Sequence, residues 1–152
     1  MNMQAVRGGH REAVKQFSVF MPNRLGRLHD LIGLLSTRSV HVLGISILDT
    51  TETAIARLVV DDPQGAQSLL EEHGFPFTVS ELLVVEIEAV TQLSKVMSAL
   101  LEAELNINYL YCFIPHPQGK SYIGISMEDN EVGEKVLRQH AFRVLRQADI
   151  SR

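Results

Sequence analysis

The stretch Pro22-Asn23-Arg24-Leu25-Gly26-Arg27-Leu28 brings an amide, two guanidinium groups and a glycine together. It follows an alternating run, Lys15 to Met21, that reads as a strand. It precedes Leu28, Leu31, Ile32 and Leu35, whose spacing reads as one face of a helix. The first turn of such a helix has N–H groups with no intrahelical acceptor and a partial positive charge, which suits a carboxylate or phosphate. Gly26 can take positive φ there and let a ligand approach the backbone closely; the plainer reading is a tight turn. Asn23 offers both a donor and an acceptor. Arg24 and Arg27 add charge, or face solvent as ordinary loop arginines.

Other reactive side chains make weaker patterns. The six histidines, His10, His29, His41, His73, His116 and His140, show neither HxH nor HxxxH spacing, so no metal site is expected. His73 and His140 fall near predicted helix ends, where an imidazole suits the dipole. Cys112 lies among Leu110, Tyr111 and Phe113 and reads as a small core residue. Glu71-Glu72 and Glu86/Glu88 read as solvated charges rather than an acid/base couple. Asp129-Asn130-Glu131 lacks the length and glycine of a calcium loop. There is no phosphate-binding GxxxxGK[ST] run and no nucleophile elbow. No catalytic residue, metal or cofactor is expected.

The 152 residues are 45% hydrophobic and 21% charged, as in a globular chain of one ordinary or two small domains. A net charge of -4 argues against nucleic acid. No apolar stretch approaches a membrane span, and Met1 to Val14 has no secretory apolar core. One cysteine excludes an intrachain disulfide. A cytoplasmic location is expected.

The elements that must position the turn follow from periodicity. Residues 1–14 read as a loose arm. Strands are expected at Lys15 to Met21, Val40 to Thr50, Thr53 to Val60 and Phe75 to Ser80. Helices are expected from Gly26 to Arg38 and after Asp62-Pro63, an N-cap followed by proline at the first helical position. Gly74 closes the second helix. The order is βαββαβ. It then restarts: a strand at Leu82 to Glu88, a helix through Leu93, Val96, Met97, Leu100 and Leu101, and strands at Ile107 to Ile114 and Lys120 to Met127. A helix opens at Asp129-Asn130, and a last strand covers Phe142 to Leu145. Leu28 matches Leu93, and Val40-His41-Val42 matches Leu105-Asn106-Ile107, both 65 positions on. Asp62 matches Asp129, and His73-Gly74-Phe75 matches His140-Ala141-Phe142, 67 positions on. The expected organisation is an arm at 1–14 and two units at 15–80 and 81–152, rigidly joined.

This duplicated pattern resembles a tandem pair of ACT domains, small regulatory modules that bind amino acids. Asn23-Arg24-Leu25-Gly26-Arg27-Leu28 resembles the family loop in which an acidic residue or Asn precedes Pro-Gly-x-Leu. Ser39-Val40-His41-Val42 resembles its Gly-Ile-Asn-Ile turn, and Leu105-Asn106-Ile107-Asn108 does so more closely. Leu25 stands where the family has proline. The second unit's counterpart, Glu88-Ala89-Val90-Thr91-Gln92, has no glycine.

The resemblance implies an α+β fold: two ferredoxin-like units, each an antiparallel sheet with helices on one side. It implies a non-catalytic module for an amino acid or similar small carboxylate. Its site would combine Asn23, Arg24, Leu25, Gly26, Arg27 and Leu28 with Asn106, Ile107 and Asn108. The reciprocal set, Val90 to Gln92 with His41, Val42 and Leu43, is expected not to bind. A second reading is a regulatory subunit that acts by contact with a metabolic enzyme such as an acetolactate synthase. A third, an enzyme on this scaffold, lacks a visible nucleophile–base set. A homodimer is expected because Phe17, Val19 and Met21 against Phe20, and Ile45 and Ile47 against Leu48, make both strand faces apolar.

Overall fold

The computed structural model describes residues 12–22, 25–89, 91–115 and 120–151. These form two compact units, Lys15–Ser80 with Ser151, and Glu81–Ile150 with residues 12–14. The first contains β1 (Val14–Pro22), α1 (Leu25–Thr37), β2 (Val42–Asp49), β3 (Thr53–Val60), α2 (Pro63–Glu72) and the opening of β4 (Phe77–Ile87). The second contains the rest of β4, then α3 (Thr91–Glu102), β5 (Ile107–Cys112), β6 (Ser121–Met127), α4 (Asn130–Gln139), β7 (Val144–Leu145) and α5 (Gln147–Ile150).

Strand order is β2-β3-β1-β4 in the first unit and β5-β6-β4-β7 in the second. In both, the first and third strands of the unit are neighbours. The β1/β3, β2/β3, β4/β6, β4/β7 and β5/β6 pairs are antiparallel. Phe17, Val19 and Met21 alternate along β1 and meet Ala56, Leu58 and Val60 of β3, Leu31 and Leu35 of α1, and Leu69 and Leu70 of α2. In the second unit Leu83, Val85 and Ile87 meet Ile123, Ile125, Met127, Val96, Leu100 and Leu137. Within each unit, therefore, both long helices cover one face of the sheet, as the alternation of apolar residues requires.

The duplication extends to backbone geometry. Ser39 (φ 56) and Glu104 (φ 56) take left-handed dihedrals after α1 and α3, and Gly74 (φ 68) and Ala141 (φ 64) do so after α2 and α4. Register shifts lie at Val42/Gly44 in β2 and at Ile107/Tyr109 in β5. Asp62 and Asp129 cap α2 and α4 by accepting from the N–H of Gly65 and Val132. His73 Nδ1 donates to the Leu69 carbonyl at 3.0 Å and His140 Nδ1 to the Val136 carbonyl at 2.9 Å. Each ring thus serves a helix end, as expected.

Several expectations are corrected. The strands expected at Phe75 to Ser80 and Leu82 to Glu88 are one element, β4, because no glycine or proline breaks Phe77–Ile87. The last strand shrinks to Val144–Leu145. The short α5 then follows, with Asp149 accepting from the Arg146 N–H at 2.7 Å. Glu12 and Ala13, read as part of the arm, are tied down: the Glu12 carbonyl accepts from Gln147 N–H at 3.0 Å, and Ala13 bridges to Arg146. Val59 and Val84 are fully buried. Ile47 and Leu48, each 44% exposed, remain at the surface.

Candidate functional site

In the first unit, Leu25, Gly26, Arg27 and Leu28 form the opening turn of α1; Asn23 and Arg24 lie outside the described residues. Gly26 does not use the positive φ that glycine permits: it is helical and exposed, and an added Cβ would meet nothing within 4 Å. The helix starts before the glycine rather than at it. The left-handed positions fall instead where chain leaves a helix. The opening turn of α1 still offers N–H groups beyond reach of an intrahelical acceptor. Leu28 turns its side chain to the core. Arg27 lies over the Phe75 ring, 4.4 Å from its centroid, a cation–π contact. It thereby lines a groove of about 490 Å³ with His29, Gly33, Leu34 and His73.

The corresponding loop of the second unit is arranged differently. Gln92, the counterpart of Arg27, folds back so that its Oε1 accepts from the backbone N–H of Glu88 and of Ala89. Val90 lies outside the described residues.

The strand starts are matched in plan and different in chemistry. In the first unit Asp61, its side chain only 4% exposed, accepts from the His41 backbone N–H at 2.8 Å and faces His41 Nδ1 at 2.7 Å. A carboxylate oxygen accepts, so the His41 ring donates to Asp61 from Nδ1. In the second unit Asn106 Nδ2 donates to Glu128 Oε2 at 3.2 Å, and its Oδ1 is left for other donors. The backbone bonds correspond as well: Asp61 N–H to the His41 carbonyl at 3.1 Å, Glu128 N–H to the Asn106 carbonyl at 3.2 Å. Asn108 Nδ2 donates to Ser126 Oγ at 3.5 Å, while Ile107 packs on the core.

Two residues differ from the sequence reading. Cys112 is exposed rather than core, because β5 alternates and buries Tyr111 and Phe113 instead. Glu86 is not solvated: its side chain is 8% exposed, with Lys120 Nζ and Arg143 NH1 both at 3.4 Å. Glu72 is exposed but paired with Arg38, which holds its carboxyl below the usual range through a hydrogen bond and charge. Sequence reasoning missed a cavity of about 400 Å³ in the second unit, bordered by Glu12, Glu81, Asn130, Glu134 and Arg146. Those residues are scattered along the chain, so no local motif marks them. Among the described residues no group of three or more His, Cys, Asp or Glu could hold a metal ion, and no helix is long and apolar enough to cross a membrane.

The sequence matches the family described as the ACT domain pair over residues 12–151. This chain belongs to the ACT family. Among solved structures, the ACT pair resembles protein BT0572 from Bacteroides thetaiotaomicron, with a TM-score of 0.82 at 23% identity, over 91% of this chain and 95% of that one. It also resembles the regulatory subunit of aspartate kinase from Thermus thermophilus in its ligand-free form, with a TM-score of 0.61 at 16% identity, over 86% and 94%. The equivalent subunit from Thermus flavus gives 0.57 at 19% identity, over 84% and 92%. At these identities the likeness is one of fold. No curated protein matches the sequence.

Proposed function

We propose that this ACT pair is a non-catalytic regulatory module that binds an amino acid. The ligand carboxylate is received by backbone N–H groups at the start of α1, Gly26 to Leu28, with Asn23 and Arg24 beside them. Membership of the ACT pair family over nearly the whole chain carries this reading. The opening turn of α1 supports it, because first-turn N–H groups without an intrahelical acceptor suit a carboxylate. Arg27 has a smaller part than its charge suggests, since its guanidinium is committed to Phe75.

A thermal-shift screen against the common amino acids tests the proposal. Ligand bound only to the native state raises the midpoint by mass action, by about 2.7 kcal/mol of stability at a hundredfold excess over Kd. A screen in which no amino acid moves the midpoint overturns it.

We also propose self-association, supported by Ile47 and Leu48 standing exposed on opposite faces of β2. Light scattering should return about 34 kDa, twice the 17.0 kDa of one chain; a value near one chain at micromolar concentration refutes it.

A further inference from the structure

β5 stands at the end of its sheet, and among the described residues no strand pairs with its outer edge. One bond fixes which way its backbone groups point: the Phe113 N–H donates to the Tyr122 carbonyl at 2.9 Å. In an antiparallel ladder, residues that exchange both bonds with the neighbouring strand alternate with residues that exchange none. Tyr111 and Phe113 therefore turn their N–H and C=O groups to β6, and Leu110, Cys112 and Ile114 turn theirs to the open edge. The side chains of these same three residues are exposed, Leu110 at 38% and Ile114 at 57%. No charged residue lies between Ile107 and Ile114, although natural sheets commonly guard an open edge with lysine or proline.

We infer that β5 pairs antiparallel with β5 of a second copy, about a two-fold axis at Cys112. This rests on the proposed self-association and names its contact. Outward residues spaced two apart leave one register that uses all three: Cys112 opposite the partner's Cys112, and Leu110 opposite the partner's Ile114. That register satisfies the outward N–H and C=O groups of each residue. It also sets the exposed apolar side chains against each other across the axis, so the edge is complementary to itself, as a two-fold contact requires. Pro115 has no N–H and ends the run. The edge of β2 fits less well. Its Thr50 N–H donates to the Thr53 carbonyl at 3.0 Å, so the same alternation turns Ile45, Ile47 and Asp49 outward. Full pairing there would set the Asp49 carboxylate against the partner's Ile45.

Cys112 is the only cysteine, so any disulfide joins two chains. Residues directly opposite in such a pair lie about 5.5 Å apart at Cα, within the span of a disulfide. Copper–phenanthroline, which oxidises two thiols to a disulfide, should therefore couple Cys112 to the partner's Cys112 in the wild type. Leu110→Lys loses its apolar pair twice by symmetry and should weaken the dimer roughly 2- to 30-fold, lowering the coupling with it. Ile47→Lys should leave mass and coupling unchanged. Amide exchange in the wild type needs no variant: Tyr111 and Phe113 should be protected at every concentration. Leu110, Cys112 and Ile114 should be protected only where light scattering returns about 34 kDa, twice the 17.0 kDa of one chain. A dimer in which those three amides exchange as fast as in dilute protein keeps self-association and overturns the β5 contact. Coupling that persists undiminished in Leu110→Lys is collisional and overturns it too. A mass near one chain at micromolar concentration overturns both readings.

Discussion

Ala141 is a non-glycine residue held at φ 64, directly after α4, where its repeat counterpart is Gly74 at φ 68. A left-handed dihedral costs an L-residue roughly 1–2 kcal/mol, because Cβ crowds the following carbonyl oxygen. Glycine escapes that strain, but it adds about 0.4–1 kcal/mol of unfolded-chain entropy that must be lost on folding. Ala141→Gly should therefore stabilise the protein by about 0.5–1 kcal/mol. With a urea slope of about 2 kcal/mol per molar for a protein of this size, the midpoint should rise by roughly 0.3–0.5 M. The reverse change, Gly74→Ala, meets no atom within 4 Å of the new Cβ, so its cost is dihedral alone and should lower the midpoint by a similar amount. Urea unfolding followed by far-ultraviolet circular dichroism measures both. A lower midpoint for Ala141→Gly would show that the alanine methyl contributes more by packing than it costs by strain.

Other outcomes follow from single contacts. Gly133→Ala would drive a Cβ into Met127 Sδ and close to Leu83; it should destabilise by about 1–3 kcal/mol through overpacking, read as a lower urea midpoint. Asp61→Ala removes the buried acceptor of the His41 backbone N–H and ring and should cost about 1.5–3 kcal/mol, with the His41 amide losing exchange protection. Gly26→Ala, at a helical and open position, should raise stability by up to about 0.5–1 kcal/mol; a loss would mean the start of α1 is not helical in solution. Glu72 is held below the usual carboxylate range by Arg38. The stabilisation from that pair is present above the unfolded-state pKa and is lost as pH falls through the lower folded-state value. Carboxyl NMR titration should show Glu72 rising in Arg38→Gln, and no change would refute the pairing.

Much of the fold could be read from the chain because its local signals agree. Asp62-Pro63 and Asp129-Asn130 mark helix starts, Gly74 marks an end, and the alternation of Phe17, Val19 and Met21 picks out the buried face. The repeat offsets then fix which elements correspond. What could not be read depended on partners distant in sequence. Glu86 looks solvated until Lys120 and Arg143 are brought to it. Cys112 looks buried because its neighbours are apolar, yet strand alternation turns Tyr111 and Phe113 inward in its place. Gly26 looked like a left-handed turn residue because glycine permits that conformation. Permission is not requirement, and among the described residues three of the four left-handed positions fall on Ser39, Glu104 and Ala141. Within the candidate site, the residue types of the two loops were visible, but not that Arg27 leaves its loop and Gln92 enters its own.

The strand-start pairs carry a consequence for how such a duplicated chain changes over time. His41 with Asp61 and Asn106 with Glu128 occupy matching places and keep the same backbone bonds. Both members of the pair differ between the copies, while the link between them persists. The shorter carboxylate faces the bulkier ring and the longer one faces the smaller amide, so total reach is held nearly constant. A copy that trades length across a contact in this way can change which atom it shows to solvent without moving its scaffold. One half of the molecule then shows an ionisable nitrogen and the other a neutral oxygen, so a single architecture carries two surface chemistries that are free to diverge independently.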